Sequence, residues 1–345
     1  MPASLALLFC LLWGTPAFSL LVGRHCSDCH TMHYSQGGQA LSSWGNAGPY
    51  SALLVTDCVG CHTGSNAPGR MPYVMSSVAP VYAATGTEAN TNTLAGGNFF
   101  WVAGGDNNKG HNVVGLAAAD PVLSVPPGFD GTLAAADGSV PGGGSWPAGQ
   151  QVTCAGTYGC HGSHNEAVAA AAIAGGHHTN VSGAITAPGT EPATGYRMLV
   201  GIAGFEDPEW ELTPTATAHN QYRGTDGLRD NATISSLCMR CHNRFHSDGN
   251  SSSGWLRHPV DFDMGNTDFD SEVRGYGGVT KQYQVAVPVA SVDVSAPVSQ
   301  VTFQDDTIVT CLSCHRSHGS PYAKLLRWDY ANTIGECVVC HTSKD

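Results

Sequence analysis

The chain has 345 residues, including 43 Gly and 19 Pro, only 12% charged residues and a formal net charge of −12. The acidic balance argues against a nucleic-acid binder, and the low charge density argues against a solvated disordered chain. No apolar run reaches the roughly 18 residues that mark a membrane span, so the counts that call for explanation are 13 Cys and 16 His.

Residues 1–19 contain no Asp, Glu, Lys or Arg, and Leu5 to Trp13 is apolar. Small residues follow at Thr15, Ala17 and Ser19. This reads as a secretory signal peptide, although the usual positive n-region is missing. Its removal takes Cys10 with it and leaves an even twelve cysteines in a single domain over residues 20–345.

Those twelve fall into six groups. Five are Cys-x-x-Cys-His: Cys26, Cys29 and His30; Cys58, Cys61 and His62; Cys238, Cys241 and His242; Cys311, Cys314 and His315; Cys337, Cys340 and His341. The sixth is Cys154-Ala-Gly-Thr-Tyr-Gly-Cys160-His161, in which five residues separate the cysteines. Cys-x-x-Cys-His is the attachment signature of c-type haem. Two thiols bind one edge of the porphyrin, and the adjacent His reaches the iron as proximal ligand. Zinc ribbons and disulfide frameworks also use paired cysteines, but neither requires His after every second Cys. A Cys154–Cys160 disulfide stays open as the alternative at the sixth site.

Ten His remain for the second axial position: His25, His33, His111, His164, His177, His178, His219, His246, His258 and His318. A haem with two His ligands carries electrons, whereas an open iron binds substrate. The surplus of His therefore predicts six bis-His haems. His33, His164 and His318 each follow a proximal His by three residues, a spacing that lets one segment serve two adjacent haems. His111, His219 and His258 lie between motifs, and His177 and His178 are a tandem pair after Gly175-Gly176.

The two ends of the chain repeat one another. Each carries a Cys-His-x-x-His motif followed closely by a plain Cys-x-x-Cys-His. Residues 86–150 are Gly-rich and read as turns and coil. Asn165–Ala174 is the best helix, with Asn165 as cap and Gly175-Gly176 as stop. Residues 282–303 alternate polar and apolar residues around Val285, Val287, Val289 and Val292, which predicts a hairpin or short strands. With so few long amphipathic elements, most buried surface would come from the porphyrins themselves.

These residues resemble the extracellular multihaem c-type cytochromes of metal-reducing bacteria, the group that includes the filament-forming OmcS and OmcE types. The resemblance is carried by Cys311-Leu-Ser-Cys314-His315-Arg-Ser-His318-Gly-Ser-Pro-Tyr322, Leu326-Arg327-Trp328-Asp329-Tyr330, Gly97-Asn98-Phe99-Phe100-Trp101-Val102, Gly110-His111-Asn112-Val113, the Cys154–His161 segment and Arg257-His258-Pro259. It implies a mostly coil chain, with short helices and a few short strands, wrapped around stacked haems. It further implies transfer of respiratory electrons to extracellular acceptors or other cytochromes and, in some members, polymerisation. It supports His33, His111, His178, His219, His258 and His318 as distal ligands, leaving His25, His164, His177 and His246 as alternates. Haem motifs near both chain ends predict a head-to-tail homopolymer, with His25 or His33 reaching a haem across the interface. The competing class is a reductase with one open iron acting on a small nitrogen or sulfur oxyanion. Against it, no Lys replaces a proximal His, His is abundant, and the chain has only four Lys.

Overall fold

The computed structural model describes residues 58–69, 71–81, 93–133, 144–176, 183–227, 230–245, 260–266, 275–333 and 337–341. The first haem motif, together with His25, His33, His177, His178, His246 and His258, lies outside them.

The described chain is mostly coil. Its helices are α1 (Cys58–Cys61), α2 (Phe100–Ala103), α3 (Ala169–Ala172), α4 (Ile234–His242) and α5 (Cys311–Cys314). α1 and α5 are themselves Cys-x-x-Cys segments, and α4 contains a third. Only α4, at nine residues, exceeds one turn. Thr233 caps it by accepting from the Ser236 N–H, and the haem motif occupies its C-terminal half. A fourth Cys-x-x-Cys, Cys337–Val339, forms a 3₁₀ turn.

The strands are equally short. β1 (Thr153–Ala155) pairs in parallel with β2 (Gly159–His161). β3 (Gly183–Ile185), β4 (Gly204–Glu206) and β5 (Gln221–Tyr222) form an antiparallel sheet in that order. β6 (Phe262–Asp263) pairs antiparallel with β7 (Ile308–Val309).

Two expectations change. The helix predicted over Asn165–Ala174 shrinks to Ala169–Ala172, because the carbonyls that would start it are taken elsewhere. Thr157 Oγ1 donates to His164 O, and Thr157 N–H donates to Glu166 O. The alternation over 282–303 yields a bridge between Gln282 and Gln300, flanked by Tyr283 N–H to Ser299 O and Val301 N–H to Lys281 O. The two arms are paired, but neither continues as a strand.

Three small apolar clusters replace one large core, and each touches haem-motif segments. One joins Ile234 and Leu237 of α4 to Leu312 of α5 through Tyr196, Tyr222 and Ile308. A second gathers Met264, Tyr276, Tyr283, Val287, Val289 and Trp328 around Cys314, Cys337 and Cys340. The third packs Phe99, Val102 and Val113 against Cys154.

Candidate functional site

A helical turn places residues three apart on one face, with Cβ atoms roughly 5–6 Å apart. α1, α4 and α5 therefore each present two thiols side by side, with the following His at the turn's end. The sixth site reaches the same result by another route. The register Thr153↔Gly159 and Ala155↔His161 sets Cys154 beside Cys160 on neighbouring parallel strands. Strands lie roughly 4.7–4.9 Å apart, and lateral neighbours point to the same face. The five intervening residues are taken up by a tight loop, opened by Gly156 at φ 93°. Among the ten described cysteines, Cys154 and Cys160 included, no disulfide bond is formed. Among the described residues, no three His, Cys, Asp or Glu side chains converge as an ion-binding group, which is unlike a zinc ribbon.

Four of the five described proximal imidazoles, all but His341, are oriented by a backbone carbonyl at Nδ1. Nδ1 contacts a carbonyl oxygen at His62 (Pro72, 2.7 Å), His161 (Arg197, 3.1 Å), His242 (Pro127, 2.6 Å) and His315 (Lys324, 2.8 Å). A carbonyl only accepts, so the proton sits on Nδ1 and the Nε2 lone pair is left for a metal. Two of these carbonyls come from left-handed residues, Arg197 (φ 51°) and Lys324 (φ 61°). In both, the next carbonyl then accepts from the residue after the His: Gly162 N–H to Met198 O and Arg316 N–H to Leu325 O. The same latch thus serves the third and fifth motifs.

Two further His rings face proximal ones. His111 and His242 have ring centres 6.1 Å apart, and His161 and His318 6.3 Å apart. Two metal–imidazole bonds of about 2 Å, plus about 1.1 Å from each nitrogen to its ring centre, put coaxial ligands on one iron about 6.2 Å apart. Burial lowers His242 to about 4 and His318 to about 3, with the facing His111 and His161 respectively adding to the effect. Both are neutral at physiological pH, which is the ligating form. His111 Nδ1 donates to Ser317 O at 2.6 Å, and its N–H donates to His318 O at 3.3 Å. The two candidate distal ligands therefore hold each other in place.

His219 is fully buried, with its ring stacked on Tyr283 at 3.7 Å and 6°. Nδ1 lies 2.9 Å from Asn220 O and Nε2 3.3 Å from Val298 O. A neutral ring carries one proton, and the shorter contact places it on Nδ1. His164 instead turns back on its own motif, with Nε2 3.2 Å from Cys160 O.

Among the described motifs, the third packs on the fourth, the fourth on the fifth and the fifth on the sixth. The charge of His62 reaches His161 and His318. A hydrogen bond between the Cys238 and Cys311 thiols, together with burial, pushes Cys238 well up, and the nearby Cys160 adds to this. Burial lifts Cys314 and Cys340 to about 12, and Cys337 contributes at both. Burial raises the Cys160 thiol and lowers the His315 imidazole from their ordinary values.

Residue typing alone missed Arg240. It sits inside the fourth motif and donates to Gly159 O (3.0 Å) and Thr157 O (3.1 Å), clamping the Cys154–Cys160 loop onto α4. A buried cation between two motif cysteines was the available signal. The carbonyl latches left a fainter one, the recurrence of basic-x-Leu at Arg197-Met198-Leu199 and Lys324-Leu325-Leu326.

A family described as a doubled CXXCH motif matches residues 304–345. The curated C-type cytochrome OmcS of Geobacter sulfurreducens is 26% identical over 93% of this chain and 83% of its own length. Among solved structures, an Outer Membrane Cytochrome S filament from Geobacter sulfurreducens matches at 22% identity, covering 90% of this chain and 84% of that one, with a TM-score of 0.41. OmcS nanowires of the same organism match at 20% identity with the same coverage and a TM-score of 0.42. The chain is thus OmcS-like along most of its length, coil-rich, and equipped with c-type haem attachment motifs.

Proposed function

We propose that residues 20–345, after loss of a signal peptide at 1–19, form one secreted hexahaem domain that passes respiratory electrons toward an extracellular acceptor. The observation that carries this reading is the pair of ring separations, His111–His242 at 6.1 Å and His161–His318 at 6.3 Å. They match two imidazoles on one iron and leave no axial position for a substrate at either site. When bound, each haem supplies a one-electron redox centre. The chain's own residues fix the imidazole planes, exclude water and hold the motifs in sequential contact.

In this reading the proximal ligands are His30, His62, His161, His242, His315 and His341. The distal set is His33, His111, His178, His219, His258 and His318. His111 serves the iron of His242, and His318 that of His161. The turn of His164 toward Cys160 O favours leaving it as an alternate. Among the described residues no helix is long and apolar enough to cross a membrane. The likeness to OmcS, whose solved structures are filaments and nanowires, supports head-to-tail assembly of this chain, with His25 or His33 reaching a neighbour's haem.

The test is the intact mass of secreted protein together with low-temperature electron paramagnetic resonance and carbon monoxide binding. Six added haems, all low-spin and inert to carbon monoxide, are expected. A high-spin haem that binds carbon monoxide would favour a reductase, and five haems would return Cys154 and Cys160 to a disulfide. Electron microscopy of the same material tests assembly, with filaments expected and monomers alone counting against it.

A further inference from the structure

Buried hydrogen-bond donors without acceptors are rare, because each costs its desolvation without return. Two occur together beside the last two haem motifs. Arg327 is 1% exposed and Tyr283 2% exposed. Arg327 Nη2 and Tyr283 Oη have no hydrogen-bond partner among the described residues. Trp328 Nε1, one residue along and in the same apolar cluster as Tyr283, is a third such donor.

The rest of Arg327 is firmly held. Its Nε donates to Leu312 O at 2.7 Å and its backbone N–H to Cys314 O at 2.9 Å, which fixes the guanidinium against the fifth motif. Tyr283 lies flat on His219, and its cluster packs against Cys314, Cys337 and Cys340. The Arg327 charge reaches Tyr283, whose hydroxyl burial drives well up. A buried cation and a buried neutral O–H beside the same two motifs, both without a partner, call for an anion with at least two acceptor oxygens. Glu211 also feels the Arg327 charge and its Oε1 accepts from the Asn220 N–H at 2.7 Å, but Arg327 Nη2 makes no hydrogen bond to it.

We propose that Arg327 Nη2 and Tyr283 Oη form a buried carboxylate receptor that takes a haem propionate at the junction of the Cys311–His315 and Cys337–His341 motifs. This deepens the function proposed above and rests on haem being bound at those two motifs. The receptor neutralises charge close to one iron and so holds that haem at a higher potential than an exposed propionate would allow. It also ties the haem to Tyr283, which orients His219, so cofactor and ligand are set by one side chain.

The test is resonance Raman of the propionate bending mode in the holoprotein, with a spectroelectrochemical titration alongside. Arg327→Lys and Tyr283→Phe are compared with Glu211→Gln. The Phe variant removes one oxygen and keeps the stack on His219, so it carries the test if the Lys variant does not fold. Both receptor variants are expected to keep the wild-type haem count, weaken the propionate band of one haem to lower frequency and lower one midpoint potential. Glu211→Gln should leave the band in place. An unmoved band in a fully loaded Tyr283→Phe protein overturns the receptor, as does a band that responds only to Glu211→Gln. A wild-type intact mass lacking haem at the last two motifs would instead overturn the underlying haem reading, before any band is recorded.

Discussion

Three backbone segments cross within hydrogen-bonding distance beside His318, and glycine is what lets them. Gly97 sits at φ +81°, and a Cβ built on it would lie 2.0 Å from Gly319 O and 3.1 Å from Arg316 Cδ. Asn98 N–H donates to Gly319 O at 3.0 Å, and His318 N–H donates to Gly96 O at 2.7 Å. In Gly97→Ala the left-handed backbone alone costs about 1–2 kcal/mol. Opening the clash to ordinary contact moves residues 317–319 by about 1 Å and breaks both bonds, at about 1 kcal/mol each. The total is about 3–4 kcal/mol. The same shift is several times the roughly 0.2 Å tolerance of a metal–imidazole bond, so His318 leaves the iron of His161. The expected result is an unchanged haem count by intact mass, one new high-spin signal, carbon monoxide binding at one haem and a lowered Tm. Gly105→Ala is the control: φ is +102°, but nothing lies within 4 Å of the added atom. It should lose stability and stay low-spin. A fully low-spin Gly97→Ala protein would refute both the crossing and the His161–His318 pairing.

Cys154→Ala should reduce the intact mass by one haem, as should Cys160→Ala; a protein that keeps every haem would show that the pair is not an attachment site. Arg240→Met strips two charge-assisted bonds from Thr157 O and Gly159 O, each worth about 1.5–3 kcal/mol. The expected outcome is partial loss of the third haem by mass and faster proteolysis of residues 153–161, with the other haems retained. Glu211 is raised from 4.5 to about 7, chiefly by burial, with Arg327 opposing. The native state therefore holds a proton that the unfolded chain releases near 4.5, and stability falls as pH rises from about 4.5 to 7, by about 3 kcal/mol in all. Glu211→Gln should flatten that slope in urea titrations across pH 4.5–7, and an unchanged slope would remove Glu211 as its source.

The attachment chemistry was legible because it is local. Cys58–Cys61, Cys238–His242 and Cys311–Cys314 need only one helical turn, and short-range pattern specifies it. The Cys154–Cys160 site was legible as a count of residues but not as a shape, since the parallel register that aligns the two thiols depends on a loop clamped by Arg240 from 80 residues away. The helix over Asn165–Ala174 failed for a related reason. Its local propensity is sound, but Thr157 competes for the same carbonyls from another segment. Distal ligands were the least legible. His164 and His318 stand at the same spacing from a proximal His, yet one folds back on Cys160 O and the other faces His161 at 6.3 Å. The difference lies in what crosses them: the Gly96–Gly97 and Lys109–Gly110 segments pin the backbone around His318, whereas Thr157 draws down the carbonyl of His164.

The acceptors of the proximal imidazoles bear on whether such a chain conducts or catalyses. A proximal His bonded to a carboxylate gains imidazolate character, which pushes electrons toward an iron that must activate a ligand. His62, His161, His242 and His315 each donate to a neutral backbone carbonyl instead. Two of those carbonyls are set by the same left-handed basic-x-Leu turn at residues far apart in sequence. Repeating one acceptor along the series keeps ligand basicity nearly constant from site to site, and so removes one source of potential steps between adjacent haems. A reductase gains from one haem that differs from its neighbours, whereas a conduit gains from neighbours that match. The receptor proposed at Arg327 and Tyr283 would change the charge near a haem edge and not an axial ligand.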